Sequence, residues 1–336
     1  MKSKNALVHR LCFGFAVTIA LLASTGSARS ETEETLDKTF TVVAGGRLVT
    51  DVDFGSIEVG SHSGNDVTIH VWRNVSRRNK ADEEKFLREQ PVTFSQEGNT
   101  VTIRSHRESG TGWSWRGPQR TEGKYTITVP AKFNVQLKTS GGGIEVHDLA
   151  GEVNAHTSGG GLKFDHLNGS VDGRTSGGGI RVGDCQGEIK IETSGGGIHV
   201  TGGKGVLDGK TSGGSVEVSE FRGPARVHSS GGGITIENVV GKVDGSTSGG
   251  SISASFSSPL SDDVRLETSA GGVTMRVAAT SAFDLDASTS GGGVDSELPV
   301  TVVGKTGRNF LKGPVNGGGR SVLLRTSGGS IHVKKL

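Results

Sequence analysis

Apolar and polar residues alternate in short stretches that return every 18 residues through the middle of the chain. Counting Thr139 as position one, position six is Ile144, Leu162, Ile180, Ile198, Val216, Ile234 and Ile252. Position eight is Val146, Phe164, Val182, Val200, Val218, Ile236 and Ala254, with a polar or charged residue between the two. Apolar–polar–apolar is the signature of a strand with one buried face. A second apolar column follows at position fifteen (Val153, Val171, Ile189, Leu207, Ala225, Val243). Position seventeen is small and larger by turns (Ala155, Gly173, Ile191, Gly209, Val227, Gly245). Counting on by two puts the Thr of the next unit inward and its Ser outward.

Two short strands per unit therefore follow, and glycines separate them. Thr-Ser-Gly-Gly-Gly or a close variant begins at Thr139, Thr157, Thr175, Thr193, Thr211, Ser229 and Thr247, and looser copies begin at Thr268, Thr289 and Thr326. Position thirteen is Gly151, Gly169, Gly187, Gly205, Gly223 and Gly241. Both sets read as corners where φ > 0 carries no Cβ penalty. A helix interrupted by three glycines at this interval would break. Units of one fixed length favour coiling, with each residue stacked on its equivalent about 4.8 Å away. The pattern predicts an all-β, flattened parallel β-solenoid (a single-stranded β-helix) of about 18 residues per coil. Ile180 should then lie directly against Ile198.

The rest of the chain supplies its ends. Residues 1–28 read as a signal peptide: Lys2, Lys4 and Arg10, then an apolar run over 11–23, then Gly26, Ser27 and Ala28. That run is too short to cross a bilayer comfortably, and no second one follows, so the mature chain is expected to have no transmembrane segment. Residues 29–38 are polar and acidic and read as a flexible lead-in. Residues 39–135 read as an N-terminal cap of strands with one short helix, and 136–336 as the Gly-rich solenoid. Within the cap, 55–59 is a degenerate copy of the repeat's first strand and 67–72 a further strand. Residues 80–89 form the helix, docking Phe86 and Leu87, and 92–95 with 101–104 form a hairpin about Glu97, Gly98 and Asn99. The strand 125–129 leads through Pro130 into the coils. The looser copies, ending at Ser330 to Val333, are expected to close the other end, since a solenoid needs its open ends covered.

Composition sharpens this. Glycine makes up 56 of 336 residues with only 7 prolines and no three-residue period, which excludes collagen, and its regular placement excludes a disordered tract. A net charge of +2 gives no electrostatic reason to expect nucleic acid or an anionic membrane as partner. Without residues 1–28, Cys185 is the sole cysteine, so neither an intrachain disulfide nor a multi-cysteine metal site can form. The outward columns at positions sixteen and eighteen largely alternate in sign, which suits parallel stacking. Each exposed pair adds about 0–1 kcal/mol, enough to bear on register more than strength.

The chain resembles a bacterial family of Gly-rich β-strand-repeat proteins that carry an adhesin label and no known function. The signal peptide, the helix-containing N-terminal segment, Val129-Pro130-Ala131-Lys132 and the recurring Ser-Gly-Gly-Gly-Ile-x-Val unit carry the resemblance, over roughly residues 38–336. It implies a β-helical fold and an envelope location, and it brings no catalytic residues.

Candidate chemistry is sparse. Gly304-Lys305-Thr306 looks like the end of a phosphate loop, but Pro299 stands where its first Gly belongs. Ile or Val follows the glycine triplets where a calcium roll needs Asp. The corner residues Asp148, His166, Asp184, Glu220 and Asn238 share position ten and suit turn hydrogen bonds better than a cation. The ten histidines show no H-x-x-x-H pair, and no nucleophile elbow is present. The Ser column (Ser140, Ser158 and equivalents) fits turn geometry more simply than a crystal-binding array. No metal, cofactor or catalytic residue is therefore expected. The exception to the monotony is a Gly-flanked segment holding Trp113 and Trp115 at alternate positions with Arg116 beside them, a candidate platform for a glycan or a partner. Its structural reading is a cover over the end of the solenoid.

The expectation is an exported, non-catalytic protein of the periplasm, cell surface or exterior, an adhesin or other partner-binding surface for an envelope glycan or protein. An envelope scaffold or stress-linked accessory protein is one alternative. The other is a polysaccharide-active β-helix enzyme, which would need clustered carboxylates, or a carboxylate with Arg or Lys, on one face, and which stacked carboxylates on neighbouring coils beside a cleft would favour. Oligomeric state is not legible.

Overall fold

A computed structural model describes residues 31–106, 120–302 and 307–336. The strands form two sheets of fourteen strands each, and through the repeats each coil gives one parallel strand to each sheet. Equivalent residues stack as the 18-residue period requires: Ile144 on Leu162, Leu162 on Ile180, Ile180 on Ile198, and so on to Ile234 on Ile252. In the facing sheet Val153, Val171, Ile189, Leu207, Ala225 and Val243 do the same. All of these inward side chains are buried.

The core holds one column beyond those predicted. Leu149, Leu167, Cys185, Phe221 and Val239, at position eleven, are buried at the corner between the strands. Gly203 takes this place in one coil, and a Cβ built there would stand 3.5 Å from Phe221 Cε2, so the neighbouring coil's ring fills the gap. Cys185 serves here as a small hydrophobe: burial pushes its thiol up to about 11, which removes it as a nucleophile near neutrality. The alternation at position seventeen answers the facing strand. A Cβ at Gly173 would come within 2.7 Å of the Phe164 ring, the bulkiest residue of its column.

The position-one Thr is the internal tie of the stack. Thr175 Oγ1 donates to Gly160 O of the preceding coil at 2.7 Å and accepts from Gly178 N of its own triplet at 3.3 Å. Thr157, Thr193, Thr211 and Thr247 repeat both bonds, and Ser229 shows that the hydroxyl is the essential part. A Thr175→Val chain should lose about 1–3 kcal/mol, because a buried carbonyl and amide lose their partner at constant volume. Thr175→Ser should keep most of the stability, and urea unfolding of the two variants checks the difference.

The glycine triplets have a different cause from the one expected. None has φ in the left-handed region. A Cβ on the second Gly of Gly159-Gly160-Gly161 would instead overlap the backbone of Gly142 and Gly143 in the coil below, closer than 3.0 Å. Close coil-to-coil approach, not turn geometry, requires it. Left-handed backbone occurs elsewhere in the corner, at position ten (Asp148, His166, Asp184, Glu220 and Asn238, φ 44° to 57°) and at the position-thirteen glycines. Asn and Asp tolerate that region through local hydrogen bonds.

The N-terminal cap comprises β1 (Glu31–Thr41), β2 (Gly46–Val52), β3 (Ser56–His62), β4 (Asp66–Ser76), α1 (Lys80–Glu89), β5 (Thr93–Glu97), β6 (Thr100–Ser105) and β7 (Arg120–Pro130). β2 and β3 make one coil in register with the repeats, β2 on Phe133–Thr139 and β3 on Ile144–His147. β5–β6 forms the expected antiparallel hairpin, and antiparallel β1, β4 and β7 finish the other sheet. Two expectations change here. The segment expected to be a flexible lead-in is β1 from Glu31 on, paired along its whole length with β4. It is held by Glu34, which accepts from the buried Arg73, and by Thr32 Oγ1, which donates to Glu83 at 2.7 Å. In α1, Glu83 is the buried residue, while Phe86 and Leu87 are half-buried. The Phe86 ring lies 5.9 Å from that of Phe54, with the Arg77 guanidinium 4.3 Å above it.

The last strands do not form the last layer. Arg320–Thr326 lies between Val264–Thr268 and Phe283–Thr289, and Ile331–Lys335 lies between Val273–Val277 and Val294–Ser296. The Thr ladder keeps the same order, Thr326 donating to Gly271 O and Thr289 to Gly329 O. The Thr289 copy closes this end, with Phe310–Val315 antiparallel along its edge.

Candidate ligand-binding face

The outward side chains at position seven stand in one straight row on the sheet that contains β3. From the cap into the coils the row runs Glu58, Glu145, Lys163, Arg181, His199 and Glu217, each opposite the next in register. Lys124 of β7, opposite Ser56, reaches back to Glu58 at 2.8 Å. Lys163 Nζ lies 2.6 Å from Glu145 Oε1, and His199 Nδ1 lies 3.0 Å from Glu217 Oε2. Glu58 and Glu145 are therefore adjacent like charges, each drawn to a lysine on its far side. The Lys124 hydrogen bond is the main reason that the Glu58 carboxyl sits below the usual carboxylate range, helped by the charges of Lys124, His147 and Lys163. Glu145 in turn raises Lys163.

Beside this row the third glycine of each triplet leaves no side chain, and an open groove of about 440 Å³ results. Gly143, Gly161 and Gly179 floor it, and Glu58, Lys124, Glu145, Lys163 and Arg181 line it. These residues come from the cap strand β7, the cap coil and three successive repeats. In the sequence, position seven is only the polar member of an alternation. The signal lay in the order of charges down that column, which pairs correctly only after β3 and β7 are placed against the repeats.

The facing sheet is differently arranged. Opposite charges were expected to pair vertically down positions sixteen and eighteen. Vertical pairs form between Arg226 and Asp244 at 3.9 Å and, at the cap, between Lys138 and Asp51 at 3.5 Å. The closer pairs run across a single strand: Asp172–Arg174 at 3.0 Å, Asp208–Lys210 at 3.3 Å and Arg265–Glu267 at 2.8 Å. Residues two apart on one outward face can meet without crossing a coil, so the two columns neutralise each other sideways.

At the cap a second cluster joins four segments of the chain. His106 Nδ1 lies 2.8 Å from Asp53 and its Nε2 3.2 Å from Asp51; Gln90 Nε2 donates to Asp53 at 2.9 Å, and Lys138 approaches Asp51 at 3.5 Å. The Asp53 hydrogen bond, opposed by partial burial and aided by Asp51, raises the His106 pKa. A raised histidine stabilises the fold fully below its unfolded value near 6.5 and loses that contribution as pH climbs through the folded one. Stability should therefore fall as pH rises from about 6.5 through the raised folded value, by under about 1 kcal/mol given the exposure of the pair. A His106→Ala chain should lack this slope when melting temperature is followed across that range.

Trp113, Trp115 and Arg116 lie outside the described residues, as do Gly304, Lys305 and Thr306. Among the described residues no three His, Cys, Asp or Glu side chains are placed to hold a metal, and no helix is long and apolar enough to cross a membrane. At the corner, position ten makes local polar contacts: His147 lies 2.9 Å from Asp148, and Asn238 donates to Glu220 at 2.7 Å.

Compared with known proteins, residues 49–334 match the family described as Toastrack DUF4097. None of the curated proteins matches. Among solved structures, a putative adhesin from Bacteroides fragilis is 13% identical, with 90% of this chain and 97% of that one covered at a TM-score of 0.31. A putative lipid binding protein from Parabacteroides distasonis is 10% identical, with 90% and 96% covered at 0.37. A putative cell adhesion protein from Clostridium sporogenes is 10% identical, with 90% and 100% covered at 0.25.

Proposed function

The chain belongs to the Toastrack DUF4097 family, and from that premise we propose that it is an exported, non-catalytic solenoid whose flat outer faces bind an envelope partner, a glycan or a protein. The observation that carries the reading is the straight row of outward side chains across parallel, in-register coils, lying beside an open groove. Such a surface presents one group per coil at a constant spacing, which suits an extended polymer or a flat partner. Trp113, Trp115 and Arg116 remain the aromatic candidate within this proposal.

One observation favours a second reading, the polysaccharide-active enzyme: Glu58 and Glu145 are stacked carboxylates on neighbouring coils beside a groove. Acid catalysis on a glycosidic bond needs one of the two to hold a proton near neutrality. Here the Glu58 carboxyl is lowered by Lys124 and each of the two carboxylates is held by a lysine, which speaks for binding.

A binding screen of the purified chain against arrayed envelope glycans and an envelope extract tests the proposal. Saturable binding without cleavage of any arrayed glycan is the expected result. Cleavage that disappears in Glu58→Gln would transfer the case to the enzyme, and no binding to glycan or extract would end it. A Trp113→Ala/Trp115→Ala variant is the arm for the aromatic pair, and unchanged binding there removes it from the site.

A further inference from the structure

We propose that the groove beside Arg181 takes a carboxylate-bearing glycan of low charge density, its acid group paired with the Arg181 guanidinium. The inference rests on the binding-surface reading above and gives it a site and a ligand class. Along the row from Lys124 to Glu217, Lys124 pairs with Glu58 at 2.8 Å and Lys163 with Glu145 at 2.6 Å, while the His199 ring lies 3.0 Å from Glu217. Arg181 stands exposed between Lys163 and His199, both already engaged, and among the described residues no hydrogen bond or ion pair occupies it. Arg181 is thus the cation of the row with no carboxylate against it, and its planar fork matches a carboxylate.

Shape and charge density narrow the ligand. The floor beside Arg181 is glycine backbone, which leaves room for a flat ring and offers no side chain to push it away. Successive strands stand about 4.8 Å apart, close to the advance of one pyranose along an extended chain, so each sugar would meet one rung. Glu58 and Glu145 line the cap end of the same groove. Lys124 and Lys163 offset them, so the lining keeps one positive charge, that of Arg181, and offers a partner to one acid group and none to the further charges of a polymer charged at every step.

The test uses two probes, an N-acetylhexosamine tetrasaccharide containing one hexuronic acid and the same molecule with its carboxyl reduced to the alcohol. The chain should bind the acid form about tenfold more tightly, and rising salt should narrow the gap. Arg181→Ala should bind both forms alike, at the level of the reduced one, with its melting temperature unchanged because Arg181 faces solvent. Arg181→Lys should retain part of the preference, and Lys190→Ala on the other sheet all of it. Equal binding of the two probes by the unaltered chain, or a preference that survives in Arg181→Ala, overturns the proposal. Should the chain bind envelope material in the screen yet show no acid preference here, the site assignment falls while the binding-surface reading stands.

Discussion

A Gly160→Ala chain unfolds at markedly lower denaturant than the unaltered protein, whereas Gly159→Ala unfolds nearly where the unaltered protein does. The two substitutions add the same methyl group to adjacent residues of one triplet, so propensity cannot separate them. Space does. A Cβ at Gly159 meets Gly141 O and Ser140 O at 3.5 Å, ordinary van der Waals contact, and Ala270 already occupies the equivalent place in a later coil. A Cβ at Gly160 overlaps the Gly142 carbonyl and the Gly143 nitrogen. Those atoms are backbone in the stacking ladder, and no side-chain rotation can relieve them. The coils must separate locally, which also stretches the bond from Thr157 Oγ1 to Gly142 O. A cost of about 3 kcal/mol or more is expected for Gly160→Ala and under about 0.5 for Gly159→Ala. Gly178→Ala, Gly196→Ala and Gly214→Ala should behave like Gly160→Ala, since each second glycine faces the same overlap. The third position is intermediate, and Ser215, Ser251 and Ser330 show that a small side chain fits there. Equal losses at 159 and 160 would refute the steric account and return the triplet to turn geometry.

The same triplet shows what could be read from the chain and what could not. Its period, the two apolar columns and the inward Thr follow from local alternation, and the register of Ile180 on Ile198 agrees. The reason for the glycines depends on the distance between coils, which no single repeat contains. Position eleven was missed because Leu149, Leu167, Cys185, Phe221 and Val239 look unrelated until stacked. β1 looked like a loose acidic lead-in because its partners, Arg73 and Glu83, lie on elements far along the chain. The groove was illegible for the same reason. Glu58, Lys124, Glu145, Lys163 and Arg181 are spread over more than a hundred residues, and only the docking of β3 and β7 onto the first coils brings them together. The gap of 37 residues before Thr326 marked an irregular end without revealing that the chain turns back to fill a layer it had skipped.

That inserted layer makes the C-terminal end the most sensitive part of the molecule to truncation. A chain ending at residue 319 loses both Arg320–Thr326 and Ile331–Lys335, the layer that joins the Val264–Val277 coil to the closing copy. Val322, Leu324, Ile331 and Val333 are fully buried. At about 1.5–3 kcal/mol for each apolar side chain, their loss removes about 6–12 kcal/mol of burial, comparable with the whole stability of an ordinary domain. The ladder bonds on both facing edges are lost with them. Sliding the closing copy down one layer would restore the ladder, but the link over residues 278–282 is tied in place by Asn316, whose Nδ2 donates to Ala279 O and Ser281 O. The closing copy should therefore detach. Because each coil depends chiefly on its immediate neighbours, the damage should stop within a layer or two. Amide exchange should show residues 283–302 and 307–315 unprotected and 264–277 weakened, with 144–247 protected as before. Protection persisting over 283–289 would mean that the closing copy has re-stacked on Val264–Thr268, and that like-on-like coil packing outweighs the tie at Asn316.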